Sequence, residues 1–400
     1  MKPEANKVAT FSQILLWFGA AVSIAEILTG ALLAPLGLRN GILSIIVGHI
    51  IGGVILFLAG IIGAQSGLSA ARSVRISFGK YGSFGFSILN LLQLLGWTAI
   101  MIINAAKSLD GITGQLLSYQ NEKLWCIVIG LLICLWVVIG IKNLSKLNTI
   151  VISALFVFSL ILGYTVFKQK ITSITSSEIM SFGAAVELNV VMCLSWLPLI
   201  SDYTMRLEKP ISGTIGSVLG YFVGGILMFT IGLGAAIYAG TSDISTILLT
   251  AGLGAIALFI VVLSTVTTTF LDVYSAGVSI VNLNDKINEK IAAIIVCIMG
   301  TLLAIFVSMS QYENFLYLIG SVFAPLFSIL FVDYFILGKK EIGLQKILNI
   351  KNVLLWCVGF VGYRLLMEYD TPVGITLPVM VVIGALYFFI CKGSERKDGN

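Results

Sequence analysis

Apolar residues in this chain follow one another in long blocks: segments such as 41–64 and 251–266 are apolar on every face of a helix, and charges, Gly and Pro punctuate the blocks. A strand of an outer-membrane barrel would alternate polar and apolar over about ten residues, so the pattern excludes that architecture. A helix crossing a bilayer needs about 20 mostly apolar residues. Blocks of that kind fall at about 11–38, 41–65, 83–106, 124–141, 147–167, 183–203, 213–239, 245–281, 291–308, 314–337, 352–368 and 373–391. The pattern therefore predicts an all-α integral membrane protein with about twelve transmembrane helices, forming a single domain over residues 1–400.

Composition narrows the reading. Of the 400 residues 58% are apolar and 11% charged, against roughly 25% charged in a soluble domain. The net charge of +5 has a simpler origin than a nucleic-acid partner. With the N-terminus in the cytoplasm, Arg39, Lys107, Lys123, Lys168, Lys170 and Arg364 fall outside, and the other 18 of the 24 Lys and Arg fall inside. Both termini are thus expected to be cytoplasmic and the protein a multi-pass component of the cell membrane. Residues 1–10 are polar and the apolar stretch after them is longer than a signal-peptide core, so the first span is expected to remain. The six cysteines form no C-x-x-C pair and read as packing residues. No G-x-x-x-x-G-K-[ST] run and no long polar segment offers ATP chemistry or a separate catalytic domain, so a transporter here would run on an ion gradient, and no enzyme is expected.

Unwound backbone survives in a membrane only where protein or a cavity shields it, so interrupted spans locate sites. The first span carries Ser23-Ile24-Ala25-Glu26-Ile27-Leu28-Thr29-Gly30, and the sixth carries Ser195-Trp196-Leu197-Pro198. Paired breaks five spans apart point to an inverted-repeat transporter with its site at the midplane. Polar stripes agree. Asn90, Gln93, Trp97 and Asn104 share one face of the third span, and Ser264, Thr267, Thr268 and Asp272 share one face of the eighth. Hydroxyls beside broken backbone suit Na⁺, a hard cation that needs several oxygens; single hydroxyls equally bond back to their own helix carbonyls. Glu26 costs about 2.5–3.5 kcal/mol at mid-span, and three roles fit it: substrate acceptor, protonatable coupling group, or acceptor for amides freed at the break. Asp272 also offers a group that could titrate. Glu187 and His49 read either as buried structural groups or as functional ones, and Asp202, Tyr203 and Arg206 read as an anchor or gate at the end of the sixth span.

Trp17-Phe18-Gly19 through Thr29-Gly30, Gln93-Leu94-Leu95-Gly96-Trp97, Ser195-Trp196 with Ser201-Asp202-Tyr203, and Thr267-Thr268 with Asp272-Val273-Tyr274-Ser275-Ala276-Gly277 together resemble the nucleobase–cation symporter-1 family, most of all its CytX-type branch of hydroxymethylpyrimidine transporters in thiamine-precursor salvage. The resemblance covers essentially the whole chain. It implies a LeuT-like 5+5 inverted repeat over about 11–167 and 183–337, with broken helices 1 and 6 and two C-terminal accessory helices at about 352–391. It maps the cation onto the backbone of Gly19 and Val22 and onto Ser264, Thr267 and Thr268, and the substrate onto Ser23, Glu26, Gln93, Trp97, Ser195 and Trp196. Ser264 stands where the family's cytosine permease carries an asparagine, and the Gln–Trp spacing is four where that permease has three.

The resulting expectation is a symporter that imports a pyrimidine, hydroxymethylpyrimidine first, coupled to Na⁺ by alternating access and without a resident cofactor. Proton coupling through Glu26 or Asp272, a cytosine or other nucleobase cargo, and a membrane-embedded substrate sensor are the alternatives. The oligomeric state is left open.

Overall fold

The computed structural model describes residues 7–168, 180–239, 246, 249, 255–307, 311–343 and 347–398. Lys2, Lys170 and Lys346 of the charge partition, and most of the first ten residues of the eighth predicted span, lie outside them. Helices account for nearly all of the rest, because a helix satisfies its backbone internally where lipid offers no partner. In chain order they are α1 (Thr10–Ala21), α2 (Ile24–Leu32), α3 (Gly37–Ser66), α4 (Ala70–Ser73), α5 (Arg75–Leu117), α6 (Glu122–Ile139), α7 (Ile141–Lys168), α8 (Phe182–Leu194), α9 (Leu197–Thr204), α10 (Pro210–Ala239), α11 (Ala255–Leu283), α12 (Glu289–Phe306), α13 (Tyr312–Phe331), α14 (Ile350–Leu366) and α15 (Thr376–Asp398).

Every predicted span carries helix, with α1 and α2 sharing the first and α8 and α9 the sixth. Among the described residues nine helices are long and apolar enough to cross a membrane, and ten when the bent pair α1–α2 is taken as one. The last two fall short by this measure: α14 has 17 residues, about 26 Å against a hydrocarbon core of about 30 Å, and the apolar part of α15 is Thr376–Lys392.

Contacts between helices follow a repeat of five. The first span and α2 lie on α10, and α3 lies on α8 and α9; α5 lies on α11 and α12, and α6 lies on the same two. Span 1 against 7 thus returns as 6 against 2, and 3 against 9 returns as 8 against 4. This is the LeuT type of fold, with spans 1, 2, 6 and 7 in one group and 3, 4, 8 and 9 in another. Small residues close the first group. A Cβ on Gly220 or Gly224 of α10 would strike backbone of α1, and one on Gly232 would strike the Ile27 backbone of α2. Close backbone approach of this kind is what small residues permit between membrane helices.

The C-terminal hairpin of α14 and α15 fastens to the core at both ends. At one end the Glu187 carboxylate of α8 accepts from the amides of Ile375 (2.6 Å) and Thr376 (2.9 Å), from the Thr376 hydroxyl (2.6 Å) and from the Tyr363 hydroxyl. At the other, Asp333 Oδ1 takes Lys339 Nζ at 2.6 Å and the Tyr387 hydroxyl at 2.8 Å. Lys339 is therefore the ion-pair partner of Asp333. Near that end α5 kinks at Gly79, whose φ of +76° is open to glycine and strained for other residues. The carbonyl of Ser77 there takes Asn349 Nδ2 and Asn352 Nδ2.

Candidate functional site

The two breaks differ in kind. In the first, α1 and α2 meet at 53°, and Ser23 is extended at φ −129°, ψ 159°. The Ser23 amide turns to the Ala21 carbonyl at 2.9 Å, and the Glu26 amide turns to the Ser23 hydroxyl at 3.3 Å. A continuous helix would have paired those amides with the carbonyls of Gly19 and Val22, so the break releases these two oxygens. The eighth span reaches the same place, where the Thr268 hydroxyl donates to the Ala20 carbonyl at 3.3 Å. The hydroxyls of Ser264 and Thr267 donate back to Val261 (3.3 Å) and Leu263 (2.8 Å) on their own helix. Each hydroxyl that has spent its proton on a carbonyl keeps lone pairs for a cation.

The sixth span is interrupted without being unwound. Ser195 and Trp196 stay in the right-handed region, at φ −58° and −89°, and the Trp196 amide bonds the Cys193 carbonyl at 3.2 Å in a tight turn. Pro198 lacks an amide but sits in the first turn of α9, where its fixed φ suits the helix. One carbonyl is nevertheless orphaned. The Leu199 amide goes to Trp196 at 3.0 Å, and Ser195 O takes Gln93 Nε2 at 2.8 Å instead.

That bond places the Gln93 side chain away from the other residues mapped to the substrate. Its amide closes the backbone of the sixth span, and Gln93 does not line the central cavity, while its Oε1 is buried without a partner. The cavity is lined by Ser23 and Glu26 of the first span, Trp97 of the third, Ser195 and Trp196 of the sixth, and Thr268 and Asp272 of the eighth, with Ala25, Met101 and Met192. Five of the six residues mapped to the substrate thus meet, together with one cation candidate and Asp272. Gly19 instead faces Ile152 of α7, while Thr267 lines a different opening.

Aromatic neighbours hold both indoles edge-on. Trp196 packs against Trp17 (5.4 Å) and Tyr221 (6.0 Å), and Trp97 against Tyr312 (6.1 Å) and Phe315 (5.5 Å). Tyr221 donates to Glu26 Oε1 at 2.8 Å, whereas Glu26 Oε2 and Trp97 Nε1 have no partner. The volume of the cavity is about 20 Å³, room for about one water. On the face away from the N-terminus, Tyr312 bonds Thr29 at 2.8 Å. On the N-terminal face, Trp17 and Tyr203 separate the cavity from a vestibule of about 420 Å³ lined by Gln13, Arg206, Thr267 and Tyr274 among others.

Other candidates have identifiable partners. Asp202 bonds the Ala70 amide at 2.9 Å, at the start of α4, and the described ion pair is Lys339–Asp333, so the anticipated pair of Asp202 with Arg206 is absent among the described residues. His49 bonds the Ile45 carbonyl at 2.9 Å and packs on Phe229. Tyr221 and Tyr312 escaped the sequence reading, and Trp17 and Thr29 entered it only as parts of motifs, without a role of their own. Tyr221 was the more legible of the two tyrosines, as a hydroxyl within the Gly-rich run 213–234.

Residues 1–353 match the family described as permease for cytosine/purines, uracil, thiamine, allantoin. The cytosine permease of Escherichia coli strain K12 is 24% identical over 344 residues, covering 83% of this chain and 79% of the permease. Among solved structures, Mhp1, a nucleobase-cation-symport-1 family transporter in a closed conformation with bromovinylhydantoin bound, superposes with a TM-score of 0.82 at 19% identity, covering 98% of this chain and 93% of that one. The inward-facing conformation of Mhp1 gives the same TM-score, at 18% identity. A Na⁺-coupled sialic acid symporter gives 0.68 at 14% identity, covering 96% and 88%.

Proposed function

The chain belongs to the nucleobase–cation symporter family of cytosine, purine, uracil, thiamine and allantoin permeases, and from that premise we propose that it imports a pyrimidine, hydroxymethylpyrimidine first, together with Na⁺. Its N-terminus lies in the cytoplasm and the vestibule opens there, as the distribution of Lys and Arg favours. The observation that carries the proposal is the meeting of two indoles and an unpaired carboxylate oxygen beside carbonyls released from a helix.

A flat heteroaromatic ring stacks on Trp97 and Trp196, each contact worth about 1–3 kcal/mol by comparison with base stacking. Glu26 accepts from the exocyclic amine. Na⁺ takes the carbonyls of Gly19 and Val22 and the hydroxyl oxygens of Thr268, Thr267 and Ser264, which joins the first span to the eighth. One Na⁺ gains about 2.3 kcal/mol per 100 mV, enough for roughly 50-fold accumulation. Similarity to the cytosine permease keeps cytosine as the second cargo, since it shows the same amine beside a ring nitrogen.

The test is uptake of radiolabelled hydroxymethylpyrimidine and of cytosine into proteoliposomes, with and without a Na⁺ gradient. Accumulation of the first that requires Na⁺ supports the proposal. Uptake that ignores Na⁺ and collapses with the proton gradient transfers the coupling to protons, and uptake of neither pyrimidine ends it.

A further inference from the structure

Polar groups around the central cavity are unevenly matched. Thr268 and Ser195 have given their hydroxyl protons to the carbonyls of Ala20 and Met192, so towards a ligand they offer lone pairs. Glu26 Oε2 is buried and unpartnered, and Glu26 itself is 1% exposed. Asp272, 5% exposed, lines the same cavity from the eighth span, one turn beyond Thr268 on α11, and makes no hydrogen bond or ion pair with any described residue. No Lys, Arg or His lines the cavity. The unpaired donor there is Trp97 Nε1. Acceptors therefore outnumber donors, and two of them are carboxylates, Glu26 with one oxygen free and Asp272 with neither held, whose burial in that state is costly.

We infer that Asp272, on the eighth-span side of the cavity that Glu26 lines from the first span, is a second reader of the substrate, and that the site takes an amino- or amidine-type heterocycle and turns away the corresponding oxo ring. The inference rests on the pyrimidine reading above and deepens it. An exocyclic amine carries two protons and a hydroxymethyl group a third, so such a ring meets both carboxylates at once. An oxo ring brings a carbonyl oxygen to the carboxylate that the amine would meet, so that acceptor is opposed rather than paired, even though a ring N–H and the hydroxymethyl remain as donors elsewhere. A site built around buried hydrogen-bonding groups rejects the analogue that cannot pair them far more strongly than an apolar pocket rejects an isostere. Asp272 also changes the meaning of the eighth-span stripe. Thr268 lies where the released carbonyls are and serves the cation, while Asp272 on the same face serves the ring.

The experiment compares affinities of the purified full-length protein, by calorimetry in Na⁺, for two pairs of ligands: hydroxymethylpyrimidine and its 4-oxo analogue, and cytosine and uracil. The wild type should prefer the amino member of at least one pair. In Asp272→Asn that preference should shrink by about tenfold or more, the scale of one charge-assisted hydrogen bond, with affinity for the amino ring falling and that for the oxo ring unchanged or rising. Asp272→Glu, which keeps the carboxylate, should retain the preference, and stabilisation by Na⁺ in thermal unfolding reports that each variant is folded. An amino-to-oxo ratio in Asp272→Asn equal to that of the wild type overturns the inference and leaves the pyrimidine reading intact, as does a change confined to Na⁺ dependence. Failure of the wild type to bind any of the four ligands overturns both.

Discussion

Two buried carboxylates, Glu26 in the first span and Glu187 in the sixth, invite contrasting tests. Glu26 has one oxygen held by Tyr221 and the other free, which is how a ligand-binding group is prepared rather than how a structural one is finished. Glu26→Gln keeps an oxygen for Tyr221 and presents an amide donor to the cavity. Uptake should fall about tenfold or more, the worth of a charged hydrogen bond, with little change in thermal unfolding; unchanged uptake would remove Glu26 from the site. Glu187 is the reverse case, because two amides and two hydroxyls fill its oxygens. Glu187→Ala strands four buried donors and should cost about 3 kcal/mol or more, seen as a lower unfolding temperature in detergent, with Glu187→Gln intermediate. For Glu26 the sequence offered the role of substrate acceptor as one of three, and for Glu187 it offered only a choice between a structural and a functional buried charge. The partners of Glu187 lie 176 to 189 residues away, and no local pattern links them.

At the scale of elements, the first break was legible and the second only half so. Ser23 caps a new helix with its own hydroxyl, a local preference that can be read from residue type. Pro198 signalled an interruption, but its geometry fits the start of α9, and the chain there tightens instead of opening. The consequence for Gln93 could not be read. Its place on the polar face of the third span was correct, yet whether it met substrate or backbone depended on the Ser195 carbonyl, which only the geometry of the turn leaves unpaired. The first break also makes a testable link to the eighth span, since Thr268 is the hydroxyl that crosses to it. Thr268→Val keeps the shape and removes the oxygen. The Na⁺ concentration for half-maximal uptake should rise about tenfold, equivalent to about 1.4 kcal/mol, while substrate affinity at saturating Na⁺ stays near that of the wild type.

For the whole molecule, the group of spans 1, 2, 6 and 7 meets the group of spans 3, 4, 8 and 9 through a small set of polar links around the cavity. On the N-terminal face the Tyr203 hydroxyl of α9 donates to the Leu271 carbonyl of α11 at 3.0 Å. At the far face the first span is tied instead to α13, the tenth span, outside both groups: Thr29 gives its proton to Ala25, so Tyr312 is the donor in the bond between Tyr312 and Thr29. The two tyrosines thus hold opposite ends of the same closed cavity, and alternating access requires each end to part in turn. A neutral hydrogen bond contributes about 1 kcal/mol, and removing one should bias the equilibrium about fivefold towards opening at its own end. Both shifts can be read at one position, Ser12→Cys, which lies in the vestibule, by its rate of modification with a membrane-impermeant maleimide above the background of the six native cysteines. Tyr203→Phe should speed modification from the N-terminal face and Tyr312→Phe should slow it. Shifts of the same sign would mean that the two ends are not alternatives, and the separation into two moving groups would fail with them.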